Sequence, residues 1–344
     1  MLFGSGETTP TGRAVHERLL SDLERPVAIA VLETPAGFQP NSALVAAEVK
    51  EFLEVHLQNH QPKVTVVPAR KLGTAHSPDD PVVVKPLLDA AYIFMGPGSP
   101  TFAVRNLRNT LAWRHMIERH REGAYLCFAS AGTLAVGAHV LPVYEMFKAG
   151  DDPHWVEGLD FFGRYGLELA VVPHWNNAEG GSKLDTSRCF MGVERMAVLK
   201  ALLPSSCSIL GIDEHTAVIF DFQRARAAVH GKGSVTVWGQ EDEKTFPAGV
   251  EFPLTALGAY RLPAPLPFTE RPPELPTEAI PQPPRLPRQV ASLVEQREEA
   301  RRRRDWALAD ALRSEIAEMG FELTDTPQGA RWRYVGKTAR GAGR

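Results

Sequence analysis

The chain has 344 residues, 44% hydrophobic and 23% charged, with a formal net charge of -3 and a pI near 6.4. That length and apolar content suit one large domain with an appendage, and the near-neutral balance excludes a global electrostatic pull toward nucleic acid or membrane. Three scattered cysteines, Cys127, Cys189 and Cys207, show no C-x-x-C spacing, which argues against a disulfide framework or zinc site and for a reducing cytoplasm. Neither a metal nor a cofactor is expected.

In chain order, Met1-Leu2-Phe3-Gly4-Ser5-Gly6-Glu7 lacks a basic n-region and a long apolar run, so no leader is expected, and no later stretch approaches a membrane span. Gly4-x-Gly6 is followed by no third glycine at dinucleotide spacing and no Gly-Lys-Ser/Thr, which excludes a phosphate loop in favour of a tight turn. From Val27 to Ile212, six short β-rich runs alternate with helical stretches: Val27–Leu32, Lys63–Pro68, Ala91–Met95, Ala124–Ala129, Leu167–Val172 and Ser208–Ile212. Strands apolar nearly throughout and separated in this way predict an α/β fold, a mostly parallel sheet sandwiched by helices. Ala217–Asp221, Ala227–His230 and Ser234–Trp238 lie close together around Gly231-Lys232-Gly233 and predict antiparallel strands at one sheet edge. This first domain is expected to span residues 1–262.

The segment 263–287 is dense in proline, from Pro263 and Pro265 to Pro284 and Pro287, and reads as an extended linker. Residues 288–336 read as a small helical hairpin, with Trp306, Ala309, Leu312 and Ile316 at three-to-four spacing and Gly320 placed to stop the second helix; residues 337–344 form a tail.

Ala124–Ala129 runs into Ser130-Ala131-Gly132-Thr133-Leu134, a strand, a serine and then small residues opening a helix. This is the layout of a nucleophile elbow, in which a tight turn lifts the hydroxyl clear of the sheet and the next N–H, that of Ala131, faces a developing oxyanion. The competing reading is a helix N-cap. Phe128 stands where a G-x-S-x-G string has glycine.

The order of landmarks resembles the dipeptidase E and cyanophycinase family of serine peptidases, similar in fold to class I glutamine amidotransferases. The resemblance covers roughly residues 1–240 and is carried by Gly4-Ser5-Gly6-Glu7, Gly96-Pro97-Gly98-Ser99-Pro100, Ser130-Ala131-Gly132, a strand ending at His174, and Gly211-Ile212-Asp213-Glu214-His215-Thr216-Ala217. It implies Ser130 as nucleophile, His174 as base, Glu214 as the orienting acid with Asp213 as rival, and Gly98 beside Ala131 as oxyanion donor. The mechanism implied is acyl transfer from a small peptide, amide or ester substrate to water; the alternative is a binding protein that keeps the fold but has lost catalysis, in which Ser130, His174 and Glu214 would not converge. Where the peptidases carry an arginine-rich stretch that selects acidic substrates, this chain has only Arg188 and Arg195, and its Asp151-Asp152 loop could instead favour a cationic substrate or be a solvated surface.

A second resemblance joins Arg288–Tyr334 to the C-terminal helical domain of cysteinyl-tRNA synthetases, through Ala300-Arg301, Asp305-Trp306, Ala309-Asp310, Arg313, Gly320 and Asp325-Thr326-Pro327-Gln328-Gly329. It implies tRNA as a partner, with Arg301, Arg302, Arg303, Arg304, Arg331 and Arg333 placed to meet phosphates. The alternative is an exposed hairpin whose arginines pair with Glu298, Glu299 and Asp305. No His-x-Gly-His or Lys-Met-Ser-Lys-Ser string occurs, which excludes a complete synthetase.

Overall fold

The computed structural model describes residues 1–239, 242–263, 288–303, 305–326 and 329–334. The chain divides into two compact units, Met1–Ala264 and Pro265–Arg344. The proline-rich segment 264–287 lies outside the described residues.

The larger unit begins with β1 (Leu2–Phe3), α1 (Pro10–Leu20), β2 (Ala28–Leu32), α2 (Ser42–His56), β3 (Lys63–Val67), α3 (Pro81–Val84), β4 (Tyr92–Met95), α4 (Pro100–Leu107), α5 (Leu111–Arg121), β5 (Tyr125–Ala129) and α6 (Ala131–Ala135). Three of these helices start on the same device: Thr9, Asp80 and Ser99 accept backbone N–H groups through their side chains, and a proline follows at the first helical position. A short ribbon, β6 (His139–Val140) and β7 (Val156–Glu157), precedes β8 (Leu169–Val172), α7 (Gly192–Ala201) and β9 (Ser208–Ile212). Then come β10 (Thr216–Asp221), β11 (Arg226–Gly231), β12 (Ser234–Trp238), β13 (Glu243–Pro247) and β14 (Glu251–Pro253).

The strands form an eight-stranded sheet ordered β14-β11-β10-β1-β5-β4-β2-β3 and a four-stranded sheet ordered β13-β12-β9-β8. In the first, β1, β5, β4, β2 and β3 are parallel and β10, β11 and β14 form an antiparallel flank. The period-two pleat sorts its side chains: Leu2, Ala30, Leu32, Ile93, Met95, Leu126 and Phe128 enter one apolar cluster, and Phe3, Ile29, Val31, Tyr92, Phe94, Cys127 and Ala129 the other. Residues of α1 and α2 cover the second face, while α4, α5 and the four-stranded sheet complete the first.

The expected architecture, a mostly parallel sheet flanked by helices with an antiparallel edge, is present, but three strands read into that one sheet stand in a second. β8 and β9 pair in parallel with each other but not with β5, and β12 joins β9 rather than β10. The turn Asp213-Glu214-His215 carries the chain from one sheet to the other.

In the smaller unit, α8 (Arg288–Arg302) and α9 (Trp306–Glu318) are followed by a β-hairpin of β15 (Phe321–Thr326) and β16 (Gly329–Tyr334). Val290, Ile316, Phe321 and Leu323 make its core. The hairpin was not expected, and Trp306, placed on the buried stripe by its spacing, is 57% exposed while Ala309, Leu312 and Ile316 are buried. Among the described residues no helix is long and apolar enough to cross a membrane.

Candidate active site

Ser130 sits between β5 and α6 with φ 50° and ψ -111°, and its side chain makes no capping hydrogen bond to the helix it precedes. A serine serving only as N-cap would have extended backbone and an occupied hydroxyl, so the capping reading fails. Phe128 does not obstruct the turn: its ring is buried on the core face, 6.2 Å from the Phe161 ring, and its carbonyl accepts the Thr133 hydroxyl at 3.0 Å.

The Ser130 hydroxyl instead meets His174 Nε2 at 3.2 Å, and His174 Nδ1 meets Glu214 Oε1 at 3.0 Å. His174 follows β8 with φ 52°, held by its N–H on the Gly4 carbonyl (3.3 Å) and by the Cys189 N–H on its own carbonyl (3.1 Å). The Gly4 N–H in turn donates to Thr216 O at 2.8 Å, so the loop after β1 ties the two sheets together at the histidine. This approach needs glycine: a Cβ on Gly4 would lie 2.0 Å from the Asp213 carbonyl oxygen.

Burial pushes the Glu214 carboxyl upward, but hydrogen bonds from His174 and Asn177 and the nearby imidazole outweigh it and leave the group below its ordinary value. Asp213 is occupied elsewhere: its Oδ2 accepts the Ser234 N–H at 2.8 Å. The geometry thus separates two acids that their adjacent positions in sequence did not.

Two site residues went unread in the sequence. Asn177 Nδ2 donates to Glu214 Oε1 at 3.1 Å, and Asn176 Oδ1 accepts the Glu214 N–H at 2.8 Å. The available signal was the Asn-Asn pair directly after His174, which reads as a loop unless the acid's position is known.

The Ala131 and Gly98 N–H groups donate no hydrogen bond to any described residue, and Gly98 has φ 146°, a backbone that favours glycine. The Gly96–Ser99 loop is bound to α6 by Gly132 N–H on Gly96 O (3.2 Å) and to the loop after β2 by Ser99 N–H on Pro35 O (2.8 Å). Arg188 lies over Trp175, its guanidinium carbon 3.9 Å from a ring centroid.

Of the arginines expected to meet RNA, Arg303 pairs with Glu299 at 2.7 Å and Arg301 lies 5.9 Å from the Trp306 ring. Arg304 and the side chains of Arg302, Arg331 and Arg333 lie outside the described residues.

Residues 283–333 match the family model of the cysteinyl-tRNA ligase anticodon binding domain. The chain is 52% identical over 48 residues to the cysteine–tRNA ligase of Bacillus pumilus (strain SAFR-032), covering 14% of this chain and 10% of the ligase. Against the enzyme of Lactobacillus helveticus (strain DPC 4571) it is 48% identical over 44 residues, or 13% and 9%. The alignments thus span about a tenth of these relatives' length. The structure is similar to the crystal structure of a peptidase from an acI-B1 Actinobacterium, with a TM-score of 0.58 and 22% identity over 73% of this chain and 95% of that one. At that identity the likeness is one of fold. The chain joins an α/β fold shared with that peptidase to a segment matching the anticodon-binding domain of cysteinyl-tRNA ligases.

Proposed function

We propose that the larger unit is a serine hydrolase that cleaves a small peptide, amide or ester through an acyl-enzyme on Ser130. The observation that carries this reading is the unbroken relay from the Ser130 hydroxyl through His174 to Glu214, beside two N–H groups without acceptors. A serine hydroxyl is a poor nucleophile until a base takes its proton, and the carboxylate fixes the imidazole tautomer and stabilises the imidazolium. Ser130 Oγ adds to the substrate carbonyl as its proton passes to His174 Nε2. The oxyanion lies against the Ala131 and Gly98 N–H groups, and the imidazolium then protonates the leaving amine or alcohol. Water, deprotonated by the same imidazole, cleaves the ester and returns the proton to Ser130. A fluorophosphonate probe should label the intact protein and leave Ser130→Ala unlabelled; an intact protein that resists the probe at high concentration contradicts the reading.

A second reading rests on the match over residues 283–333: the smaller unit associates with tRNA. Its phosphate contacts should make affinity fall steeply with salt, and replacing Arg301 to Arg304 with alanine in the full chain should flatten that dependence. Binding that is salt-independent, or unchanged in the variant, sinks it.

A further inference from the structure

The segment after β6 makes one π-helical turn, Glu145–Ala149, a rare geometry that recurs at functional sites. Its first residue, Glu145, accepts the Thr101 hydroxyl on Oε1 at 2.6 Å, while its Oε2 is buried with no hydrogen-bond partner among the described residues. Directionality is forced. Thr101 has a single proton and gives it to the carboxylate, so the Ser99 hydroxyl, 3.0 Å away, donates to Thr101 and itself accepts the Phe102 N–H. A chain of hydrogen bonds therefore orients Glu145 from the loop that holds Gly98. From the other side, Phe147 of the same turn packs on Phe190 with ring centroids 5.0 Å apart, and Phe190 lies 6.5 Å from the His174 ring.

The turn that carries Glu145 thus meets the start of α4 through Thr101 and the segment beside His174 through Phe147 and Phe190. No lysine, arginine or histidine pairs with it among the described residues, and the nearest lysine in sequence, Lys148, lies over the Phe147 ring instead. A buried carboxylate oxygen without a donor is costly unless something else supplies one. The following loop adds negative charge: the Asp151 N–H is bonded to the Glu145 carbonyl at 3.0 Å, and Asp152 comes next.

We propose that Glu145 is the specificity residue of this site and receives a protonated amine of the substrate on its unpartnered carboxylate oxygen. The proposal rests on Ser130 being the nucleophile. An amine can come from the side chain or the α-position of the residue contributing the scissile carbonyl, and the test separates the two.

Diphenyl phosphonates patterned on lysine, Nα-acetyl-lysine, norleucine and Nα-acetyl-norleucine are compared by rate of Ser130 modification in the intact protein, Glu145→Gln and Thr101→Val. The intact protein should react about 10–100-fold faster with an amine-bearing probe than with Nα-acetyl-norleucine, the worth of one hydrogen bond to a charged group. Preference for Nα-acetyl-lysine identifies the side-chain amine, and preference for free norleucine the α-amine. Glu145→Gln should erase the preference, and a cooperative thermal transition like that of the intact protein establishes that the variant is folded. Thr101→Val, which keeps the carboxylate but frees it, should weaken the preference in part. No preference in the intact protein, or one that survives Glu145→Gln, overturns the proposal. If fluorophosphonate does not label the intact protein, the hydrolase reading has failed separately. Calorimetric binding of lysinamide over Nα-acetyl-norleucinamide, which carries no amine, would then still report on Glu145, and equal binding of the two would overturn it.

Discussion

Holding a non-glycine residue at the Ser130 geometry costs about 1–3 kcal/mol, which the packing of β5 and α6 on both sides must offset. What that cost secures is a hydroxyl pointed at His174 rather than back into its own helix. The same oxygen of Glu214 that holds His174 also accepts Asn177, which is only 3% exposed, so the carboxylate cannot swing without breaking a second hydrogen bond. Asn177→Ala is therefore expected to slow fluorophosphonate labelling about ten-fold, the worth of one hydrogen bond to a charged group. It should leave labelling confined to Ser130; an unchanged rate would show that Glu214 is held without Asn177. Ser130 was legible from the strand, serine and small residues around it, whereas His174 was named through the resemblance, which asks for a histidine after a later strand. Asn177 was not, because an asparagine in a loop looks the same whether it turns the chain or holds a carboxylate. Glu214 and Asp213 are neighbours, and partners distant in sequence tell them apart: His174 and Asn177 hold Glu214, while the Ser234 N–H holds Asp213.

Strands and loops divide the work differently. β2, β3, β4, β5, β8 and β9 all lie inside the runs read from the sequence, because an apolar run bounded by polar residues marks a buried strand whatever its neighbours are. Pairing is another matter, since apolar residues on both faces do not name a partner; hence β8 and β9 were read into the one parallel sheet when they belong to a second. Three consecutive residues, Arg188, Cys189 and Phe190, have φ of 57°, 58° and 69°, a left-handed turn under the His174 carbonyl that no glycine or proline announces. The loop after β4 tolerates little: a Cβ on Gly98 would lie 2.0 Å from Pro35 O, in a backbone region that already disfavours side chains. Gly98→Ala should displace the N–H facing the oxyanion and lower kcat on an ester substrate by about 100-fold, as loss of one such donor does, with KM changed far less. A rise in KM at constant kcat would place Gly98 in substrate binding instead.

For the whole molecule, two buried histidines set the response to acid. Burial lowers both His16 and His120 to about 4, in spite of hydrogen bonds to the Glu7 and Ala124 carbonyls that pull the other way. The unfolded chain binds protons on these residues near pH 6.5 and the folded chain only near 4, so stability is lost as pH falls through that window. His16→Gln, which removes one of the two, should reduce the slope of unfolding free energy between pH 6 and 4.5 by about 1.4 kcal/mol per pH unit, one proton's worth. A slope equal to that of the intact protein would mean that His16 is protonated in the folded state. The central claim, that a serine at the end of β5 carries the acyl group, is tested most directly by mixing the protein with a p-nitrophenyl ester, quenching in acid within the first turnover, and measuring intact mass. The account predicts a mass increase equal to the acyl group, located on the peptide containing Ser130 and matched by a stoichiometric burst of p-nitrophenol. Turnover with no covalent adduct, or an adduct that persists in Ser130→Ala, would contradict it.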